Sequence, residues 1–403
     1  MRISRKKNYL LLLQGQLVST LGDAIYTIAL SLWVLKISGS TAMVGTIMGI
    51  IMVPRVLLGP FAGAYVDRHS KKKIIVYTDL IRGVAILFIA GLAYYDKLHL
   101  WCLFMVAVID GICTSFFNPS MESIMPELVQ EENLVQLRSL FEMSKMGMDV
   151  LGQTVGGLLY SMLGAPMMFF INGFSYIFSS GTEHFISENR KIQQSKIDYY
   201  KDIKEGFKYI AKSQGLLLLI LMSFLFNLLF GMVRVLIVPW FAMTGGFGEA
   251  KFGFFNGACS IGMVIGMLFL SLVRINEKHK YIIYIASVEA FVVLIFIAAW
   301  SNQYYTVLIG FALAFTCMAI FNTILATTVV LNTVDEMRGK VSATKLTLCM
   351  AASPLGNFVG GLLGECLDAR ITIMIVSCFA AVAILPFILN NEVRDYMSVE
   401  STH

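Results

Sequence analysis

The sequence predicts an all-α integral membrane protein with twelve transmembrane helices in two six-helix, pseudo-symmetric halves. Three observations carry this. The first is composition: of 403 residues, 57% are hydrophobic and 14% charged, with a mean hydropathy of +0.74. A soluble domain of this length is not so apolar. The second is pattern, because long uncharged runs alternate with short polar loops. The third is an internal repeat. LGQTVGGLL at Leu151 to Leu159 recurs as LGNFVGGLL at Leu355 to Leu363, an offset of 204. Phe117-Asn118 recurs as Phe321-Asn322 at the same offset. VDRHSKKKIIVY from Val66 has a worn echo, VRINEKHKYIIY from Val273, at an offset of 207.

The first apolar run, 9–35, follows a basic tail of Arg2, Arg5, Lys6 and Lys7. It is too long for a signal-peptide core and lacks a small-residue cleavage site, so an uncleaved span is expected. Further spans are expected at 42–65, 74–95, 98–119, 135–162, 166–186, 215–241, 251–273, 281–300, 304–330, 342–366 and 371–390. Cations gather in the tail, in the loop after the second span, in 187–214, and at Arg274, Lys278 and Lys280. The intervening loops carry few, such as Lys97 and Lys251. Positive loops stay cytoplasmic, so both termini are expected on that side. The loop 120–134 is acidic (Glu122, Glu127, Glu131, Glu132), but acids weigh little in this rule. The chain then divides into an N-terminal half 1–186, a linker 187–214, a C-terminal half 215–390 and a tail 391–403. In the linker Tyr199, Ile203, Phe207 and Ile210 recur at helical spacing. They predict an amphipathic helix on the inner membrane face. LGxxVGG is expected to let two helix backbones approach closely.

The second and third spans are joined by Gly63–Lys73, GAYVDRHSKKK, so they must form a hairpin with a basic turn. Gly63, Asp67, Arg68, Lys72 and Lys73 fit the pattern G-x-x-x-D-R-x-(G)-x-K-K. This resembles the loop 2–3 signature of the major facilitator superfamily of transporters. Ser70 stands where that family usually has glycine. Three other stretches are similar to the macrolide-efflux and siderophore-exporter branch of bacterial drug:proton antiporters. They are SxLGDAIYTIALSLWVL in span 1, FFNPSMESIMPELV leaving span 4 and DEMRGKVSA leading into span 11. The chain departs from many drug antiporters in two places: Gln153, not proline, follows Gly152, and span 4 has no arginine. The resemblance implies the major facilitator fold, with a substrate site near the midplane between the halves. It implies a small-molecule substrate, protons as coupling ion, a bacterial cell membrane and a monomer. It also implies that Asp67 caps the N-terminus of span 11 in the outward-open state. There a carboxylate suits the helix dipole. Gly63, Asp67, Arg68, Lys72 and Lys73 would thus gate and not bind substrate.

Charges inside spans cost at least ~2.5–3.5 kcal/mol each on insertion scales and so mark functional candidates. Asp23 lies midway along span 1, where the resemblance places an acid. It either binds substrate or proton, or forms a structural pair with Arg55. Arg55, mid-span 2 after Pro54, either neutralises that acid or binds an anionic group. Asp110 is central in span 4. Glu142, Lys145 and Asp149 are spaced i, i+3, i+7 and share a helix face. The first two read as a salt-bridged gate near the cytoplasmic edge. Asp149 lies deeper, and with Asp110 it is a further proton candidate, because a carboxyl facing a low-dielectric cavity suits a proton carrier. Asp79 and Arg82 are expected to join the signature cluster, and Arg234 to pair across the outer gate. Glu289, mid-span 9, is the weakest candidate.

The net charge of +5 sits in loops and reports topology, so no nucleic-acid partner is expected. The seven cysteines have no paired spacing and the five histidines no helical pairing. Neither disulfides nor metal ligands are expected. No nucleophile–base pair or phosphate loop is present, so neither an enzyme nor a cofactor is expected. The 23 methionines and 29 phenylalanines suit an adaptable apolar cavity, and suit lipid-facing packing as well. The reading that follows is a secondary active exporter of amphipathic, drug- or macrolide-like molecules by proton antiport. The alternatives are a lipid, lysolipid or siderophore carrier, or a receptor or scaffold on the same fold.

Overall fold

In a bilayer the backbone must satisfy its own hydrogen bonds, and this chain does so with helices. The computed structural model describes residues 2–129, 134–187, 199–244, 247–273, 275–301, 303–388 and 390–398. Glu131, Glu132, Arg274 and linker residues 188–198 lie outside them, as do the side chains of Arg2, Arg5, Lys6, Glu127, Tyr199, Ile203 and Lys278. The described residues form thirteen α-helices and no strand. They are α1 (Arg2–Ser38), α2 (Thr41–Arg68), α3 (Lys71–Tyr94), α4 (Leu100–Leu128), α5 (Leu134–His184), α6 (Tyr199–Lys212), α7 (Gln214–Pro239), α8 (Gly248–Leu272), α9 (Glu277–Ser301), α10 (Tyr304–Leu331), α11 (Asp335–Cys366), α12 (Ala369–Ile388) and α13 (Asn391–Ser398). A single π turn, Trp240–Thr244, follows α7.

Eleven described helices are long and apolar enough to cross a membrane, against the twelve expected. The difference lies in α5. It has 51 residues, about 76 Å at 1.5 Å per residue, more than twice a ~30 Å hydrocarbon core. Gly164 inside it has φ 70° and ψ 173°, a conformation that only glycine adopts without a Cβ clash. The expected spans 135–162 and 166–186 lie on either side of this break.

The signature hairpin is tighter than expected. α2 runs on to Arg68 and α3 starts at Lys71, so the turn is His69 and Ser70. Ser70 is the N-cap: its Oγ accepts from the Lys73 backbone N–H at 3.3 Å. That gives the departure from glycine a physical reason, since serine satisfies an otherwise orphaned helix donor.

The chain forms two compact units. The first holds Met1–Gly39, Ile50–Tyr199 and Glu249–Phe254, and the second holds Ser40–Gly49, Tyr200–Gly248 and Phe255–His403. In the first unit α1 and α3 both pack on α5 through glycines. A Cβ added to Gly22 would lie 2.3 Å from Ser175 Oγ, and one added to Gly83 would lie 3.0 Å from the Gly173 carbonyl oxygen. Gly152 and Gly156, from LGQTVGGLL, lie against Leu21, Ala24 and Ile28 of α1.

The second unit repeats this crossing with α11 on α7. A Cβ on Gly356 would lie 2.1 Å from the Leu228 carbonyl oxygen, and one on Gly360 would lie 2.5 Å from Met232 Cα. The sequence repeat is therefore a repeat of one helix crossing. Gly356→Ala is expected to lower stability by about 1–3 kcal/mol, since a methyl there can only push backbone aside. Gly91→Ala on α3 meets open space and is expected to be neutral or mildly stabilising. Denaturant unfolding of both variants in detergent checks this.

Aromatic rings fill the second unit's core. Phe226 packs on Phe291 and Phe321 with ring centroids 5.1 and 4.7 Å apart. A small gap of about 20 Å3 lies beside Phe226 and Phe291. α6 docks on α11, where Glu205 and Lys340 form a 2.5 Å ion pair. α13 buries Val393 and Met397, and Asn332 Nδ2 donates to the Tyr396 carbonyl.

Candidate functional site

The glycine crossings of the first unit decide which polar groups meet. Gly22 brings the α1 backbone close to α5 and thereby carries its neighbour Asp23 to Tyr176. Tyr176 Oη donates to Asp23 Oδ1 at 2.6 Å, and Asn172 Nδ2 donates to the same oxygen at 3.4 Å. Gly83 does the same for α3 and its neighbour Arg82. Arg82 Nη1 donates to Tyr176 Oη at 2.9 Å, and Nη2 pairs with Asp79 Oδ1. The guanidinium lies 4.5 Å from the Phe117 ring and 4.4 Å from the Tyr176 ring, so cation–π attraction adds to the charged hydrogen bonds. The result is a continuous chain, Asp79–Arg82–Tyr176–Asp23, buried except at its partly covered Asp23 end.

A further acid lies on the same face of α5. Glu183 is fully buried and accepts from Gln16 Nε2 at 3.1 Å. Its second oxygen, Oε2, and Asp79 Oδ2 have no hydrogen-bond partner among the described residues. Ser179 lies near both carboxyls. Asp79 pairs with the guanidinium directly, Asp23 reaches it through Tyr176, and Glu183 lies near Asp79.

Arg55 is not the partner of Asp23. Arg55 Nη2 pairs with Asp110 Oδ2 at 3.0 Å and reaches Thr114 Oγ1 at 3.4 Å. The reason is local: Gly111 lets α4 approach α2 at Ile51 and Pro54, one turn before and beside Arg55. Asp79 and Arg82 likewise join the Asp23 chain and not the signature turn, because both are buried against α5. Asp149 accepts from Gln153 Nε2 at 2.9 Å, so the residue that replaces the family's proline holds it. No ion pair joins Glu142 and Lys145 among the described residues. Lys145 Nζ lies 5.7 Å over the Phe141 ring instead, and Glu142 is exposed. Arg234 is exposed on α7. Glu289 on α9 has a buried Oε1 with no hydrogen-bond partner among the described residues. Gly63, Asp67 and Arg68 occupy the last turns of α2, and Lys72 and Lys73 the first turn of α3.

Tyr176, Asn172, Glu183 and Gln16 are missing from the sequence expectation, yet a signal was present. Asn172, Ser175, Tyr176, Ser179 and Glu183 recur at i, i+3, i+4, i+7, i+11 on an apolar span. Gln16, Ser19 and Asp23 form a matching stripe on α1. Scanning for charged residues alone passes over such neutral polar stripes.

Known proteins bear on this site and its scaffold. The description "transmembrane secretion effector" matches residues 4–402. Macrolide efflux protein A of Streptococcus pyogenes is 25% identical over 282 residues, 67% of each chain. A putative bacilysin exporter of Bacillus amyloliquefaciens is 25% identical over 385 residues, 91% of this chain and 90% of that one. Among solved structures, a nucleoside transporter superposes with a TM-score of 0.74 at 15% identity, covering 94% of this chain and 98% of that one. An inward-facing bacterial homologue of the iron transporter ferroportin gives 0.73 at 17%, covering 95% and 99%. The whole-length match, the efflux-named relatives and the shared fold together place this multi-pass membrane protein in the transmembrane secretion effector family of major facilitator superfamily transporters.

Proposed function

We propose that this transporter is a secondary active exporter of amphipathic small molecules, driven by inward proton flow. The observation that carries the reading is the chain Asp79–Arg82–Tyr176–Asp23. Arg82 balances Asp79, so the chain is near neutral when Asp23 holds a proton and carries one excess negative charge when it does not. Asp23 is only partly covered, unlike Asp79 and Glu183. It is the carboxyl of the three that can meet both solvent and substrate. A proton and a cationic substrate would then compete for the same oxygens, which is the minimum requirement for antiport.

Alternating access would rock the halves 1–186 and 215–390 about a midplane site. Asp67, Arg68, Lys72 and Lys73 would hold one end shut. The names of the relatives, macrolide efflux and bacilysin export, favour amphipathic substrates for this chain too. The cell membrane with both termini cytoplasmic, and action as a monomer, complete the reading.

The test is transport in proteoliposomes under an imposed pH gradient, with a panel of cationic, macrolide-like and lysolipid compounds. Gradient-driven movement of cationic or macrolide-like compounds, collapsed by a protonophore, is the expected result. Movement of lysolipid alone, or movement indifferent to the gradient, would overturn proton antiport and bring forward the carrier reading.

A further inference from the structure

A groove of about 940 Å3 opens between the start of α3 and the end of α5. It is remote in chemistry from the Asp23 network. Along α3, Lys73, Tyr77 and Leu80 are spaced i, i+4, i+7 and share one wall; along α5, Ile177, Gly181 and His184 form the facing wall at the same spacing. Both walls run from a nitrogen-bearing side chain at the helix end to apolar side chains deeper along the span. Lys72 adds a second ammonium at the same end. A Cβ on Gly181 would meet nothing within 4 Å, so the glycine leaves the slot open.

Tyr77 is 59% exposed and Leu80 39%, so an apolar strip stands uncovered beneath two cations. No carboxylate lies within ion-pair distance of Lys72 or Lys73 among the described residues. The matching ligand has an anionic head joined to an alkyl chain.

We propose that this groove binds one anionic phospholipid. Its phosphate lies between Lys72 and Lys73, and one acyl chain runs along Tyr77, Leu80 and Ile177. The proposal rests on the membrane-spanning fold alone and is independent of proton antiport.

The experiment is native mass spectrometry of the purified full chain, titrated with phosphatidylglycerol or phosphatidylcholine. A single phosphatidylglycerol adduct that outcompetes phosphatidylcholine is expected. A membrane-surface lysine contributes about fivefold to binding an anionic lipid, so Lys72→Gln with Lys73→Gln should weaken retention roughly 25-fold. Tyr77→Ser, at an exposed position, should weaken it several-fold by removing apolar wall. The control pair Lys97→Gln with Lys251→Gln should change nothing. Equal retention of the two lipids, or unchanged retention in either the double lysine variant or Tyr77→Ser, would overturn the site. If glycerol 3-phosphate displaces the lipid at matched concentration, the groove binds a free anion and the lipid assignment fails.

Discussion

Asp23→Asn is expected to abolish gradient-driven export while leaving the protein folded and able to bind substrate. The side-chain amide is nearly isosteric and its oxygen can still accept from Tyr176, so the hydrogen bond at 2.6 Å has a successor. What is lost is the exchangeable proton. Removing a proton-transfer group costs a reaction at least about a hundredfold, and the gradient-driven rate should fall by that much or more. Equilibrium binding of the transported compound should change only a few-fold. Tyr176→Phe is the informative companion. It keeps the ring beneath Arg82 and removes the donor to Asp23, a charged hydrogen bond of about 1.5–3 kcal/mol. A roughly tenfold or larger change in the pH dependence of transport, with folding intact, is the expected signature. Normal transport by Asp23→Asn would sink the coupling role.

Arg82→Met is expected to give the largest loss of stability, about 3–5 kcal/mol, because it strands Asp79 in the core. Asp79 is fully buried and Arg82 is 5% exposed, so water cannot compensate. The two ring contacts to Phe117 and Tyr176 go with the guanidinium. Pairing the change with Asp79→Leu should recover most of the stability, since an apolar pair of similar volume replaces the ions without stranding either charge. Export should stay lost in that double variant if Arg82 also sets the Tyr176–Asp23 link. Unfolding in detergent and transport are therefore separate readouts. A single variant within about 1 kcal/mol of wild type would mean that Arg82 does not balance Asp79.

The spans, the signature hairpin and the twofold repeat were legible in the sequence because each is set by local pattern. Hydrocarbon thickness fixes how long an apolar run must be. LGQTVGGLL and LGNFVGGLL serve equivalent crossings because close backbone approach demands small residues wherever it occurs. Even the break inside α5 is announced by Gly164 and Pro166. The partnerships of the charges were another matter. Asp23 meets Tyr176 across 153 residues and Arg55 meets Asp110 across 55, and both pairings depend on how each helix is rotated about its axis.

That rotation comes from close packing of glycines on a neighbouring helix, against backbone at Gly83 and Gly111 and against the Ser175 and Asn172 side chains at Gly22. A list of charged positions does not contain it. So Asp23 and Arg55, the natural pair on paper, take different partners, while Asp79 and Arg82 leave the signature turn for the interior. Tyr176, neutral and aromatic, becomes the link. The sequence by itself determined that this chain crosses a membrane in repeated helical hairpins and carries acids there. The tertiary structure alone decided which acid shares which cation, because buried electrostatics follow distances of a few ångströms that no local pattern encodes.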